Sequence, residues 1–192
     1  MNHCDLYPVI PSLHALTAVL EQLPSLLDSD SVTALRLCFD RPLKRSQLET
    51  VRQMAWDRNV ALILAPASLD LLQGISLKES DGIHLSNLRD VKTFASRKDK
   101  PSSFQIGCTC ITLDDAMSAG EQGADYVSLP AANLPALTQW SMFAELPAVA
   151  EHVCTAEEAR AVAQAGADFL AITLDPAEDG LTRFTAVSEA LP

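Results

Sequence analysis

The 192-residue sequence predicts one α/β domain, a closed barrel of eight parallel strands with a helix or loop after each. Three observations lead there. Residues 155–174 (TAEEARAVAQAGADFLAITL) read as a helix, a tight turn at Gly166 and a buried strand. A near twin occupies 112–130 (TLDDAMSAGEQGADYVSLP), with Thr again eleven positions before the Gly of a Gly-Ala-Asp turn, and 81–85 (DGIHL) is a weaker third copy. A helical array would lack an apolar strand after each helix, whereas helix, Gly turn and short apolar run make the βα unit of a parallel sheet. Finally, eight short apolar runs fill the chain from 1 to 192 and leave no room for a second domain.

In order, 6–10 is a short first strand, weakened by Pro8, which cannot donate to a ladder. Ser12 caps a helix over 13–27 with Leu13, Leu16, Leu20 and Leu23 on one side, ended or kinked at Pro24. Strand two is 34–39, and Ser46 caps a helix to about Trp56. Strand three is 60–64, with a short helix near 68–73. Strand four is 82–85, followed by a polar helix over 88–97. Strands five to eight are 104–109, 126–129, 148–153 and 169–174, and 176–190 closes the chain as a helix. Between strands six and seven, the helix over 133–143 is interrupted by Pro135.

A chain of this length buries about 70% of its unfolded surface. Its 48% apolar and 5% aromatic content suits strands of Val, Ile, Leu and Ala covered on both faces. A net charge of −11 disfavours nucleic acid and anionic membranes, and gives phosphorylated substrates no long-range attraction. Five cysteines, mostly inside strands, fit reduced thiols of a cytoplasmic protein better than a disulfide framework. No apolar run reaches the roughly 18 residues of a membrane helix, and Asp5 and Pro8 interrupt any signal-peptide core.

A parallel barrel of eight strands carries its active site at the strand C-termini. Those positions are Cys38 and Asp40, Ala65 and Pro66, His84 to Asn87, Cys108 to Cys110, Ser128 to Pro130, His152 to Cys154, and Thr173 to Asp175. His152 with Cys154, and Cys108 with Cys110, share strand faces by alternation. A soft metal site or a Cys154–His152 nucleophilic pair are readings of that spacing. Small buried thiols in a tapering barrel are the simpler one. Arg36, inside a strand, needs a carboxylate or an anion, because an unpaired buried guanidinium is very costly. Asp40 or Asp175 is its expected partner, and a residual anion site with Arg89 is the alternative.

Leu6-Tyr7-x-Val9, Arg36, Asp81-Gly82-Ile83-His84-Leu85, Ile106-Gly107-Cys108-Thr109 with Asp114-Asp115-Ala116, and Gly123-Ala124-Asp125-Tyr126-Val127 together resemble the thiamine phosphate synthase and TenI-like family of TIM barrels. The resemblance covers nearly the whole chain, and Gly-Ile-His-Leu is its more specific part. It implies joining of an aminopyrimidine diphosphate to a thiazole phosphate, with release of pyrophosphate around Mg²⁺. It also implies Arg36, His84 and Thr109 as the catalytic set, and Arg89, His152 and Thr173 as substrate contacts.

The chain departs from that pattern at many positions. Where the family has Arg-x-Lys after strand two, this chain has Arg36-Leu37-Cys38; where it has Asn-Asp after strand three, Ala65-Pro66. The second metal-binding Asp aligns with Arg89, or with Asp90 after a one-residue slip. The catalytic Ser is Thr109. The loop lysine after strand six has no counterpart, since 131–146 holds no Lys or Arg. The Gly-Gly after strand seven is His152-Val153, and a β-branched residue cannot cheaply take the positive-φ backbone there that lets amides approach a phosphate. Leu174-Asp175-Pro176 sets a carboxylate where an anion should sit. Ser128-Leu129-Pro130 replaces the histidine linked to thiazole tautomerisation in the TenI-like branch.

The expectation is therefore a family barrel whose coupling chemistry is lost. No cofactor is expected, and Mg²⁺ only if synthase activity survives. Its partner is a small molecule, a thiamine precursor, and an oligomer is compatible with the sequence. The alternatives are a non-catalytic interaction barrel using its acidic surface, and an active synthase with shifted ligands such as Asp90.

Overall fold

The computed structural model describes residues 4–191. β1 (Asp5–Ile10) leads through α1 (Leu13–Val19) and α2 (Leu23–Leu27) to β2 (Ala34–Phe39). α3 (Arg45–Trp56), β3 (Ala61–Pro66), β4 (Gly82–Leu85), α4 (Leu88–Ala95) and β5 (Gln105–Thr109) follow. α5 (Leu113–Glu121), β6 (Tyr126–Pro130), α6 (Leu134–Phe143), β7 (Ala148–Glu151), α7 (Ala156–Gln164), β8 (Phe169–Thr173) and α8 (Gly180–Ser188) complete the chain. The eight strands pair in sequence order, all parallel, and β8 closes on β1 with Tyr7 opposite Ala171. This is a (β/α)8 TIM barrel, as the βα repeat predicts.

Strand alternation sorts the side chains into two cores. Leu6, Ile10, Leu35, Leu37, Leu62, Leu64, Ile83 and Ile106 point outward and pack under the helices. Tyr7, Val9, Ile63, Tyr126, Val149 and Ala171 point into the lumen. The outer core is aliphatic and continuous; the inner one is smaller and surrounds polar groups.

The Gly-Ala-Asp repeat has a structural explanation. Gly123 and Gly166 end α5 and α7 at φ +100 and +94, which glycine adopts without steric cost. The Asp two residues later turns back onto the preceding strand. Asp125 Oδ2 accepts the Ile106 amide at 2.8 Å, Asp168 Oδ2 the Ala148 amide at 2.8 Å, and Asp81 Oδ2 the Leu62 amide at 2.8 Å. The repeat is a clip at the N-terminal rim, on the face opposite the strand C-termini.

Several elements differ from expectation. The first helix breaks before Pro24, which sits in the first turn of α2, where a missing N–H is harmless. Pro135 likewise starts α6 instead of interrupting it, and Asn133 caps that helix. Lys44, not Ser46, precedes α3. The segment after β3 forms only two 3-10 turns, Leu69–Leu72 and Leu77–Glu79. The closing segment is a 3-10 turn, Pro176–Glu178, followed by α8, with Asp179 at φ +51 between them. β7 stops at Glu151 instead of continuing to Val153, because His152 turns left-handed at φ +62.

Candidate functional site at the barrel mouth

At the C-terminal end of the barrel two adjoining cavities, about 310 and 450 Å³, share Pro11, Arg36, Cys38 and Thr109 in their walls. His84 and Asp40 line the smaller; Glu151, His152 and Thr173 line the larger. Five of the six residues expected in the site thus surround one opening: Arg36, His84, Thr109, His152 and Thr173. Arg89 does not join them. It lies exposed in the first turn of α4 and lines neither cavity.

Beneath the mouth the lumen holds a buried polar network. Arg36 on β2 donates from Nη2 to Glu151 Oε1 on β7 at 2.6 Å. Its guanidinium also lies 4.7 Å from the centre of the Tyr7 ring. Neither Asp40 nor Asp175 is the partner of Arg36. Asp40 is exposed, and Asp175 Oδ1 accepts the Ala177 amide at 2.9 Å, capping the turn after β8.

Burial opposes the Glu151 charge, but Arg36, together with His84 and the side-chain hydrogen bonds, outweighs it and holds the carboxyl below the usual carboxylate range. Burial likewise opposes the charge of Arg36, and Glu151, with smaller contributions from Tyr7, Tyr126 and Cys38, outweighs it, so the arginine stays protonated.

His84 on β4 bridges two hydroxyls: Nε2 is 2.9 Å from Thr109 Oγ1 and Nδ1 is 3.0 Å from Tyr126 Oη. Tyr126 Oη is in turn 2.9 Å from Tyr7 Oη. Burial and then the nearby Arg36 push the His84 pKa down to about 3, against partial opposition from Glu151. The imidazole is therefore neutral at pH 7, with one ring nitrogen donating and the other accepting. Burial drives both tyrosine hydroxyls upward, so they also stay neutral. The network can relay hydrogen-bond polarity from Thr109 to Tyr7, and its one cation is matched by one anion.

Glu151, Tyr7 and Tyr126 are the network members that sequence reasoning missed. Glu151 shares strand parity with Val149, a lumen residue, and that was the available signal for it.

The remaining mouth groups are engaged locally. Glu158 Oε2 accepts the amides of Cys154 (2.8 Å) and Thr155 (3.2 Å) at the start of α7. Asp115 Oδ2 accepts those of Ile111 and Thr112 at the start of α5, at 3.3 and 3.0 Å. Asp90 Oδ2 accepts from Asn87 Nδ2 at 2.8 Å. His152, and not the β-branched Val153, takes the left-handed conformation at this position.

The four-residue soft metal set is not assembled. Cys108 and Cys110 face outward into the helix-packed core, while the exposed Cys154 thiol donates to the His152 carbonyl at 3.2 Å. That bond also leaves no Cys154–His152 nucleophilic pair. Among the described residues, no group of three or more His, Cys, Asp or Glu could hold a metal ion, and no helix is long and apolar enough to cross a membrane.

A closed parallel barrel with its polar side chains gathered at the strand C-termini has the layout of a (β/α)8 small-molecule protein. The chain is 31% identical over 189 residues to the thiamine-phosphate synthase of Rhodospirillum centenum, covering 90% of this chain and 88% of that one. It is 28% identical to the thiamine-phosphate synthase of Hyphomonas neptunium, over 85% and 80% of the two chains. It belongs to the thiamine-phosphate synthase family. The thiamine phosphate pyrophosphorylase structure from Pyrococcus furiosus superposes with a TM-score of 0.73 at 21% identity, over 98% of this chain and 96% of that one, and supports the fold. No protein-family model matches the chain.

Proposed function

We propose that this protein is a thiamine-phosphate synthase-family barrel in which the coupling of two phosphorylated precursors is lost. Its mouth binds a small ligand of low negative charge, a thiamine precursor without its phosphates. The observation that carries this reading is the engagement of the mouth's anion-binding donors by the chain's own carboxylates. Arg36 is held by Glu151 through Nη2, its Nε being left without a partner, the amides after β7 are held by Glu158, and the first turn after β8 by Asp175. A phosphate would have to displace a carboxylate already in place and meet the negative field of the others.

Among the described residues, Arg36 is the one Lys or Arg in the walls of either cavity. A diphosphate and a monophosphate together bring several negative charges, which one neutralised arginine does not offset. Mg²⁺ does not fit either. It takes carboxylate, phosphate and water oxygens in octahedral array. The end of β3 offers Ala65 and Pro66, Asp90 is bound to Asn87, and Glu151 is committed to Arg36. What remains is a lining whose cation, Arg36, faces two carboxylates, Glu151 and Asp40, and in which Thr109, Thr173 and His152 offer hydrogen bonds to a heterocycle. We place this activity in the cytoplasm, consistent with five free thiols among the described residues.

The test is incubation with the aminopyrimidine diphosphate, the thiazole phosphate and Mg²⁺, with calorimetry on the same two heterocycles lacking phosphate. The expected result is no thiamine phosphate above the uncatalysed background, and at least tenfold tighter binding of an unphosphorylated heterocycle than of its phosphate. Enzymatic product formation overturns the reading, and Mg²⁺-dependent product lost in Asp90→Asn would establish the shifted-ligand synthase.

A further inference from the structure

A third cavity, about 220 Å³, opens at the opposite, N-terminal end of the barrel and shares no lining residue with the mouth. Its walls are the rings of Tyr7, Tyr126 and Phe169, the aliphatic chains of Ile63 and Val149, and the small residues Ala34 and Ala61. In (β/α)8 barrels this end is ordinarily packed and serves stability. Here two alanines leave a space that larger side chains would fill.

The space cannot close by collapse of its roof. Tyr126 is held at its hydroxyl by both Tyr7 (2.9 Å) and His84 (3.0 Å). Its ring leans over Gly107, where any Cβ would overlap it. Tyr7 meets Tyr126 and Phe169 edge to face, each with centroids 6.3 Å apart. The rings are thus fixed before any ligand arrives, which lowers the ordering cost of binding.

The chemistry of the occupant follows from the polar groups at the rim. Thr33 Oγ1 donates to Asp5 Oδ2 at 3.0 Å, Asp125 Oδ2 accepts the Ile106 amide, and Gln105 Nε2 donates to the Ser103 carbonyl at 3.3 Å. With each of these rim side chains tied into the protein by at least one bond and the rest of the wall apolar, the cavity selects for apolar area and shape. Dry apolar cavities of about 150 Å³ in other proteins hold benzene.

We propose that this cavity is a second ligand site, for a free apolar molecule the size of one or two aromatic rings. It is independent of the reading of the mouth.

The experiment uses ¹³C-methyl NMR of the full chain titrated with benzene, toluene and indole. Saturable shifts of the Ile63 and Val149 methyls are expected with at least one probe. In Ala61→Leu, which fills the cavity, affinity should fall at least tenfold. Ala34→Leu repeats the test from the neighbouring strand should Ala61→Leu fail to fold. No saturable shift with any probe overturns the proposal, as does binding of unchanged affinity in a folded filling variant.

Discussion

The Arg36 guanidinium reaches across the barrel lumen to the Glu151 carboxylate at 2.6 Å, with both side chains almost fully buried. The two strands are not neighbours; β1 and β8 separate them on one side of the barrel. Removing one partner leaves the other charged, desolvated and alone. Glu151→Ala should therefore cost about 3–5 kcal/mol in denaturant unfolding. Arg36→Met with Glu151→Leu should recover most of that loss, since an apolar pair of similar volume is often neutral. A double variant no more stable than Glu151→Ala would contradict this account.

Glu151→Gln keeps the shape and removes the charge, so Arg36 regains an unneutralised cation at the mouth. Inorganic pyrophosphate should bind this variant at least tenfold more tightly than the parent by calorimetry. Equal binding would mean that Glu151 is not what excludes the anion.

His84 sets a pH dependence. Its folded pKa of about 3 lies below its ordinary 6.5, so below pH 6.5 the unfolded chain takes up a proton that the folded chain refuses. Stability should fall as pH drops from 6.5 toward 3, at up to about 1.4 kcal/mol per pH unit. Glu151, with its pKa lowered, adds stability above its ordinary value of 4.5 that is lost as pH falls below it. His84→Asn should flatten the curve between pH 6.5 and 4.5 and leave the acid limb. An unchanged slope in that window would refute the assignment.

The N-terminal clips carry stability without touching the mouth. Asp125→Ala or Asp168→Ala leaves a strand amide without its charged acceptor and should cost about 1.5–3 kcal/mol. Ligand binding at the mouth should be unaffected, as measured on the folded variants.

His152 holds a left-handed backbone that costs about 1–2 kcal/mol for a residue with a Cβ. Glycine removes that strain and adds chain entropy to the unfolded state, so His152→Gly should stabilise by up to about 1 kcal/mol. A loss of stability would show that the imidazole makes contacts worth more than the strain.

The barrel was legible because its signals are local. The helix, the Gly turn and the apolar run of each long repeat lie within about twenty residues; the structure adds that Thr112 and Thr155 cap α5 and α7. Proline misled where position decides its effect: Pro24 and Pro135 read as breaks but occupy first turns, where no N–H is needed. The site was legible as a set of strand ends, and five of its six expected residues do surround the mouth.

Alternation showed which side chains share a face but not which face looks inward. Cys108 and Cys110 are correctly paired with each other, yet they point at the helices while Thr109 points at His84.

The sequence by itself determined the parallel barrel and its strand order, because these rest on patterns within single βα units, and its family, because its motifs follow one another along nearly the whole chain. Only the tertiary structure decided that Arg36 meets Glu151, 115 positions away, and that Tyr126 joins Tyr7 to His84. Those contacts cross the lumen, and closing the sheet is what sets the register that brings distant strands face to face.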